Sequence, residues 1–250
     1  MSGGPESWLN ILFEYEAVSC LAGLNYIQKK WSFPQIVADG FTYDASQISH
    51  PLIFKGKAVA NDFVLNDNPA TWIITGSNMS GKSTFLRTLG INAVLAFAGA
   101  PVAASEMKLS RFLVFTSMRT EDNLQESTSS FYAELKRLKQ LLEYINDQIP
   151  VFYLLDEILK GTNSSDRNTG GKALIRQLQG TNSSGIIATH DIELSNLEKE
   201  APGKIYNFSF SSDVTDGQLF FDYKLKEGVC RSFNATELMR QIGIQVDLGR

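Results

Sequence analysis

The sequence predicts an α/β fold, a mostly parallel sheet flanked by helices and closed by a C-terminal β-hairpin and helix. Three observations carry this. Four short apolar runs, "TWIIT" (71–75), "FLVFTSM" (112–118), "PVFYLL" (150–155) and "GIIAT" (185–189), have the length and β-branched or aromatic content of buried strands. Segments of helical periodicity separate them, and strands alternating with helices imply parallel pairing with helices on both faces. The chain of 250 residues is 43% hydrophobic, enough to bury a sizeable core in one large domain, with or without a small appendage.

Taken in order, residues 1–6 read as a linker or cloning scar, and 7–34 as a lead-in helix that Pro34 ends. Its stretch "WLNILFEYEAVSCLAGLNYI" carries Glu14 and Glu16 near the middle, so it is expected to be a buried helix and not a membrane span. Residues 35–250 form one expected domain. Its first part, 35–70, mixes short apolar runs with turns such as "VADG" and "LNDNPA" and reads as short strands. After "TWIIT" a glycine-containing loop leads into an apolar helix from about Lys82 to Ala98. A helix after "ESTSS" places Phe131, Leu135, Leu138, Leu142 and Ile145 on one face. Residues 167–179 form another helix, "SSDVTDG" (211–217) reads as the turn of a hairpin, and a helix from Asn234 to Ile242 closes the chain. The string "GTNSS" occurs at 161–165 and again at 180–184, and both copies read as loops.

A net charge of −4 argues against strong autonomous DNA binding, which favours a basic stripe. "LKRLK" (135–139) and the pair Lys29 and Lys30 are short enough to be solvated helix faces. Cys20 and Cys230 give neither a metal spacing nor a disulfide framework. With no basic leader followed by an apolar core and no membrane segment, the expected location is cytoplasmic.

The chemistry concentrates in three motifs. "GSNMSGKS" (76–83) fits G-x-x-x-x-G-K-[ST] between a buried strand and an apolar helix. In that pattern backbone N–H groups from Gly76, Ser77, Asn78, Met79, Ser80 and Gly81 through to Thr84 cradle phosphates, Lys82 reaches the terminal ones, and Ser83 ligands Mg²⁺. "VFYLLDE" (151–157) delivers Asp156 to the Mg²⁺ shell, and a turn at the strand end lets Glu157 polarise the attacking water. His190 closes "GIIATH" at the same carboxyl edge, where open α/β sheets bind ligands; it is read as a γ-phosphate contact.

These residues, in this order, resemble the ATPase domain of the MutS family, and the resemblance runs nearly end to end. "GSNMSGKST", "LLDEILKGTNSSD" (154–166) and "IIATHD" (186–191) carry it, with "SHPLI" (49–53), "AVAND" (58–62) and "GVCRSFNATELMRQIGI" (228–244) as further landmarks. The resemblance implies a P-loop NTPase of ABC type whose two ATP sites form at a head-to-tail dimer interface, with a homodimer as the expected partner arrangement. Each site is completed in trans by "SSFYAEL" (129–135), where Ser129 is the expected γ-phosphate contact and Ser130 caps the helix. DNA would be reached only weakly or through regions outside this chain, because mismatch-reading and clamp regions do not fit in this length. Four departures stand out: Ser77 in place of a usual Pro, Leu159 and Lys160 in place of Gly-Arg, Asp191 in place of an aromatic, and no aromatic near "AVAND". Tyr223 either supplies the missing stacking face for adenine or is a core or sheet-face tyrosine. A transporter ATPase is excluded by the lack of an LSGGQ-like string, and a chromosome-organising protein by the short span between Lys82 and Asp156. A nucleotide-dependent dimerisation switch with little hydrolysis stays open beside the Mg²⁺-dependent ATPase.

Overall fold

The computed structural model describes residues 5–38, 40–53, 56–66, 68–118, 127–215 and 218–230. The chain runs α1 (Pro5–Ile27), β1 (Gln35–Val37), β2 (Tyr43–Ile48), β3 (Asn61–Leu65), β4 (Thr71–Gly76), α2 (Lys82–Phe97), β5 (Glu106–Ser110) and β6 (Leu113–Ser117). It continues through α3 (Ser127–Asn146), β7 (Val151–Asp156), α4 (Ser164–Leu178) and β8 (Ser184–Thr189). A 3₁₀ turn (Ile192–Asn196), α5 (Leu197–Glu200), β9 (Ile205–Thr215) and β10 (Gln218–Glu227) follow.

The main sheet has the order β10-β9-β4-β8-β7-β6, parallel throughout except for the antiparallel β10. A smaller sheet, β1-β5-β2-β3, is largely antiparallel. Every residue of β4 and β8 is buried, and so are the first five of β7. Alternation then splits their side chains between two cores. Trp72, Ile74, Phe152, Leu154, Ile186 and Ala188 face α2 and the small sheet. Ile73, Tyr153, Leu155 and Ile187 face α3 and α4. Aromatic contacts join the two sheets, with Phe63 edge-on to Trp72 at 4.6 Å between centroids and Tyr43 tilted on Phe152 at 5.0 Å.

Several expectations are corrected. The N-terminal helix is present but not buried: Trp8, Phe13, Tyr15 and Val18 stand mostly in solvent, because no described element packs over them. The apolar face of α3 is rotated toward Leu141, which is fully buried, while Leu135 is 40% exposed. α4 starts at Ser164, not at residue 167, because Asn163 caps it by accepting from the Asp166 N–H at 2.9 Å. Ser211 to Thr215 of the expected turn continue β9. β5 was not anticipated, since "EMKLS" places charges at alternate positions. The helix expected at Asn234–Ile242 lies outside the described residues.

The rotated face of α3 is testable. Leu141→Ala should destabilise the protein by about 2–5 kcal/mol, since it empties a closed site. Leu135→Ala should stay within about 0.5 kcal/mol, as exposed positions do. Urea unfolding midpoints of the two variants check the ranking, and equal losses would restore the originally expected face.

Candidate functional site

The carboxyl ends of β4, β7 and β8 lie side by side, and the sequence-predicted motifs meet there. β4 runs into the loop 77–81 and α2 begins at Lys82. Gly76 lies so close to β9 that a Cβ would meet Phe210 O at 2.6 Å, and Gly81 holds a left-handed φ of 103°. Lys82 curls back over the loop, its Nζ donating to Gly76 O at 2.7 Å and Ser77 O at 2.9 Å. Burial lowers the Lys82 pKa and Asp156 opposes that shift, with Lys160 lowering it further. Ser77 Oγ, Ser80 Oγ and Asp156 Oδ1 are buried and have no hydrogen-bond partner among the described residues.

A cleft of about 750 Å³ opens over this loop, lined by residues 77–85 and Thr88 of the loop and α2, by Glu157, by His50 and Asn61, and by Tyr223. Tyr223 lies against Gly81, where a Cβ would come within 3.0 Å of its ring. It is held there by the string "AVAND". Asn61 Nδ2 donates to Tyr223 O at 3.0 Å, Asn61 Oδ1 accepts from Leu225 N at 2.8 Å, and Lys224 Nζ donates to Ala60 O at 2.6 Å. The register of β9 and β10 shifts between Phe221 and Leu225, which turns the tyrosine toward the loop.

At the end of β7 the backbone turns as expected. Glu157 and Leu159 both take left-handed conformations, with φ of 52° and 58°, at a cost of about 1–3 kcal/mol each. Their surroundings impose it: Glu157 N donates to Ala188 O at 2.8 Å and Leu159 N to Glu134 Oε1 of α3 at 2.5 Å. The Glu157 carboxylate forms an ion pair with Lys160 through Oε2, and its Oε1 lies 3.7 Å from His190 Nδ1. At that separation the histidine contact is not a hydrogen bond. Burial lowers the His190 pKa first, then Arg167, Lys160 and Lys82, with Asp191 opposing.

Arg167 was not singled out by sequence reading. It lies in the first turn of α4, which Asn168 ties to the His190–Asp191 turn by donating to Asp191 Oδ2 at 3.0 Å. The expected trans residue Ser129 falls in the first turn of α3, and its side chain lies outside the described residues. Because α3 begins at Ser127, Ser130 is inside the helix and not at its capping position. Ser83 is half-buried at the start of α2, and it and Asp156 are the two oxygen donors expected for a metal. Among the described residues no group of three His, Cys, Asp or Glu side chains could hold a metal ion. No described helix is long and apolar enough to cross a membrane.

The arrangement defines a class: a mixed α/β domain with its candidate ligand cleft at the carboxyl edge of a parallel sheet. The chain belongs to the MutS family, for the family model of MutS domain V matches residues 72–245. It is 32% identical over 219 residues to the DNA mismatch repair protein MutS of Listeria monocytogenes serotype 4b, covering 84% of this chain and 25% of that protein. It is 31% identical over 248 residues to DNA mismatch repair protein MutS of Thermotoga neapolitana, covering 96% of this chain and 30% of the relative. The corresponding protein of Aquifex pyrophilus is 28% identical over 245 residues, with 96% and 28% covered. The chain thus spans less than a third of the length of these curated relatives.

Burial and neighbouring cations depress the His190 pKa, and burial and Arg87 depress that of His50. Both sit below 6.5 in the folded chain, so the unfolded chain takes up protons first as the pH falls through 6.5. The stability these two neutral histidines contribute is complete above pH 6.5 and declines between there and their lowered folded values. His190→Gln should therefore lose less stability than the parent between about pH 7 and 5. Urea unfolding across that range checks it, and parallel curves would contradict the assigned direction.

Proposed function

We propose that this chain is the ATP-binding and ATP-hydrolysing domain of a longer MutS-type DNA mismatch repair protein. Residues 35–250 form the ATPase unit and the preceding helix is its lead-in. The observation that carries the reading is the set of three buried, partnerless oxygens, Ser77 Oγ, Ser80 Oγ and Asp156 Oδ1, beside Lys82. Buried polar atoms without partners are rare, and a phosphate with its counter-ion satisfies donors and acceptors together.

In this reading the loop Gly76 to Thr84 holds the phosphates of ATP, and Lys82 leaves its two loop carbonyls for the terminal phosphate. Tyr223, in the lining of the cleft beside Gly81, supplies a stacking face for adenine. Ser83 and Asp156 are hard oxygen donors, and two of them suit a Mg²⁺ ion that fills its other positions with water and phosphate oxygens. Mg²⁺, when bound, neutralises charge on the phosphates. Glu157 orients water and takes its proton, and neutral His190 contacts the γ-phosphate side. Ser129 from a second copy, seated head to tail, closes the site, and DNA is engaged by regions outside this chain. The Lys160–Glu157 ion pair favours a second reading, a nucleotide-dependent dimerisation switch with slow hydrolysis, because it occupies the proposed base.

Glu157→Gln should bind ATP as the parent does and hydrolyse it about 10²–10⁴-fold more slowly. Lys82→Ala should weaken ATP binding about tenfold or more, the loss of a charged hydrogen bond. Equilibrium titration with a fluorescent ATP analogue and phosphate release measure the two. Light scattering of Glu157→Gln with Mg²⁺ should give a dimer with ATP and a monomer without. Hydrolysis by Glu157→Gln at the parent rate would remove Glu157 as the base, and a monomer with ATP bound would remove Ser129 from the site.

A further inference from the structure

We propose that Asn61 is a positioning residue for the nucleobase, holding Tyr223 in a backbone conformation that the tyrosine does not keep unaided. The inference rests on the reading of Tyr223 as the adenine-stacking face. Among the described phenylalanine and tyrosine side chains that line the cleft, Phe85 and Phe210 are buried, whereas Tyr223 is 43% exposed. Its ring is thus the one of the three that is open to a planar ligand. Tyr223 has a φ of 53°, and bulky residues rarely take a left-handed backbone. It stands inside the register shift between Phe221 and Leu225, where β9 offers residues 222–224 no partner in the ladder. The restraint must come from outside the hairpin.

Asn61 supplies it from the small sheet. The residue is buried at the start of β3, paired with Ile48 of β2, so its side chain leaves a fixed backbone. The amide donates to Tyr223 O at 3.0 Å and accepts from Leu225 N at 2.8 Å, clamping the peptide groups on either side of Lys224. Asp222 braces the same turn. Its Oδ1 accepts from Lys224 N at 3.1 Å, and its Oδ2 lies 2.6 Å from Lys226 Nζ. With the bulge so held, the ring lies against Gly81, and Phe221 stacks beside it at 5.9 Å between centroids. Gly81 belongs to the loop proposed to hold the phosphates, so the clamp sets the spacing between the base end and the phosphate end of the ligand. Without the amide, the bulge relaxes from its left-handed φ and the ring leaves the loop. Asn61 also lines the cleft, so a direct contact with the base is the competing account. The two accounts differ in whether the effect of Asn61 needs the tyrosine.

The test is a double-mutant cycle of Asn61→Ala and Tyr223→Ala, read by calorimetric titration with ATP and with inorganic tripolyphosphate, both with Mg²⁺. Tyr223→Ala should weaken ATP binding about five- to a hundredfold, the loss of a base–aromatic stack. Asn61→Ala should weaken it about three- to thirtyfold, much of the same stack, and leave tripolyphosphate within about twofold of the parent. In the Tyr223→Ala background Asn61→Ala should add less than about twofold, because the two residues act as one unit. Equal losses for ATP and tripolyphosphate would make the role of Asn61 merely structural, and additive losses would make it a direct base contact. Either result overturns the proposal, as does a parent-like ATP affinity in Asn61→Ala. If Asn61→Ala does not fold, Asp222→Ala carries the same test from the partly exposed side of the bulge. It should weaken ATP about two- to fivefold and leave tripolyphosphate unchanged, and a parent-like ATP affinity there overturns the clamp. Failure of the underlying reading is seen separately, as an ATP affinity that Tyr223→Ala leaves untouched.

Discussion

Two-sided burial of β4, β8 and β7 is the constraint on which the rest of the molecule depends. Three adjacent parallel strands with no solvent face must alternate their side chains between two cores, and each core must then be roofed. α2 with the small sheet roofs one, and α3 with α4 roofs the other. A slip of one residue in any of these strands would exchange the two sets, setting Ile73 against the packing made for Trp72 and Ile74. Register is therefore held at the strand ends too, and the ends carry the candidate site. The loop after β4, the acids after β7 and the histidine after β8 come together because the sheet allows its strands no other alignment.

The site shows how strain is held locally by neighbours. Glu157 and Leu159 occupy backbone conformations that glycine would adopt more easily. Each is fixed by a hydrogen bond from its own N–H to a different element, β8 in one case and α3 in the other. The turn is thus a junction of three structural units, and a displacement of any of them is felt at the carboxylate. Elsewhere in the cleft Asn61 plays the same part for Tyr223, gripping β10 at the carbonyl of Tyr223 and the N–H of Leu225 with one side chain.

Much of this was legible in the sequence, and the reasons for success and failure are physical. Central strands announce themselves because a strand buried on both faces is apolar at every position, as in "VFYLL". The loop, acids and histidine were legible because each follows directly from a strand. β5 was hidden because one face of it is wet, and charges at Glu106 and Lys108 break the apolar run. The helix α1 was misjudged because composition reports which side chains are apolar and not what lies over them. Leu141 and Leu135 differ by less than two turns on one helix, and only the packing of α3 on the sheet separates them. The Asn61 latch and the Lys160–Glu157 pair were out of reach for opposite reasons. The first joins residues 162 apart in the chain, and the second depends on a turn whose backbone signs no sequence pattern displays.

The placement of β9 and β10 has a consequence for how the protein is made. β4 sits at the centre of the main sheet, but its neighbour on one side begins only at Ile205, and the wall of the cleft that holds Tyr223 comes later still. A chain emerging from the ribosome at roughly 5–20 residues per second therefore exposes an apolar edge of β4 for some seconds before β9 arrives. Throughout that interval the glycine loop is already synthesised but has no β9 carbonyl of Phe210 behind Gly76 and no tyrosine against Gly81. The cleft is the last part of the described fold to be completed during translation, so nascent chains lack a finished cleft until residues 205–227 are out.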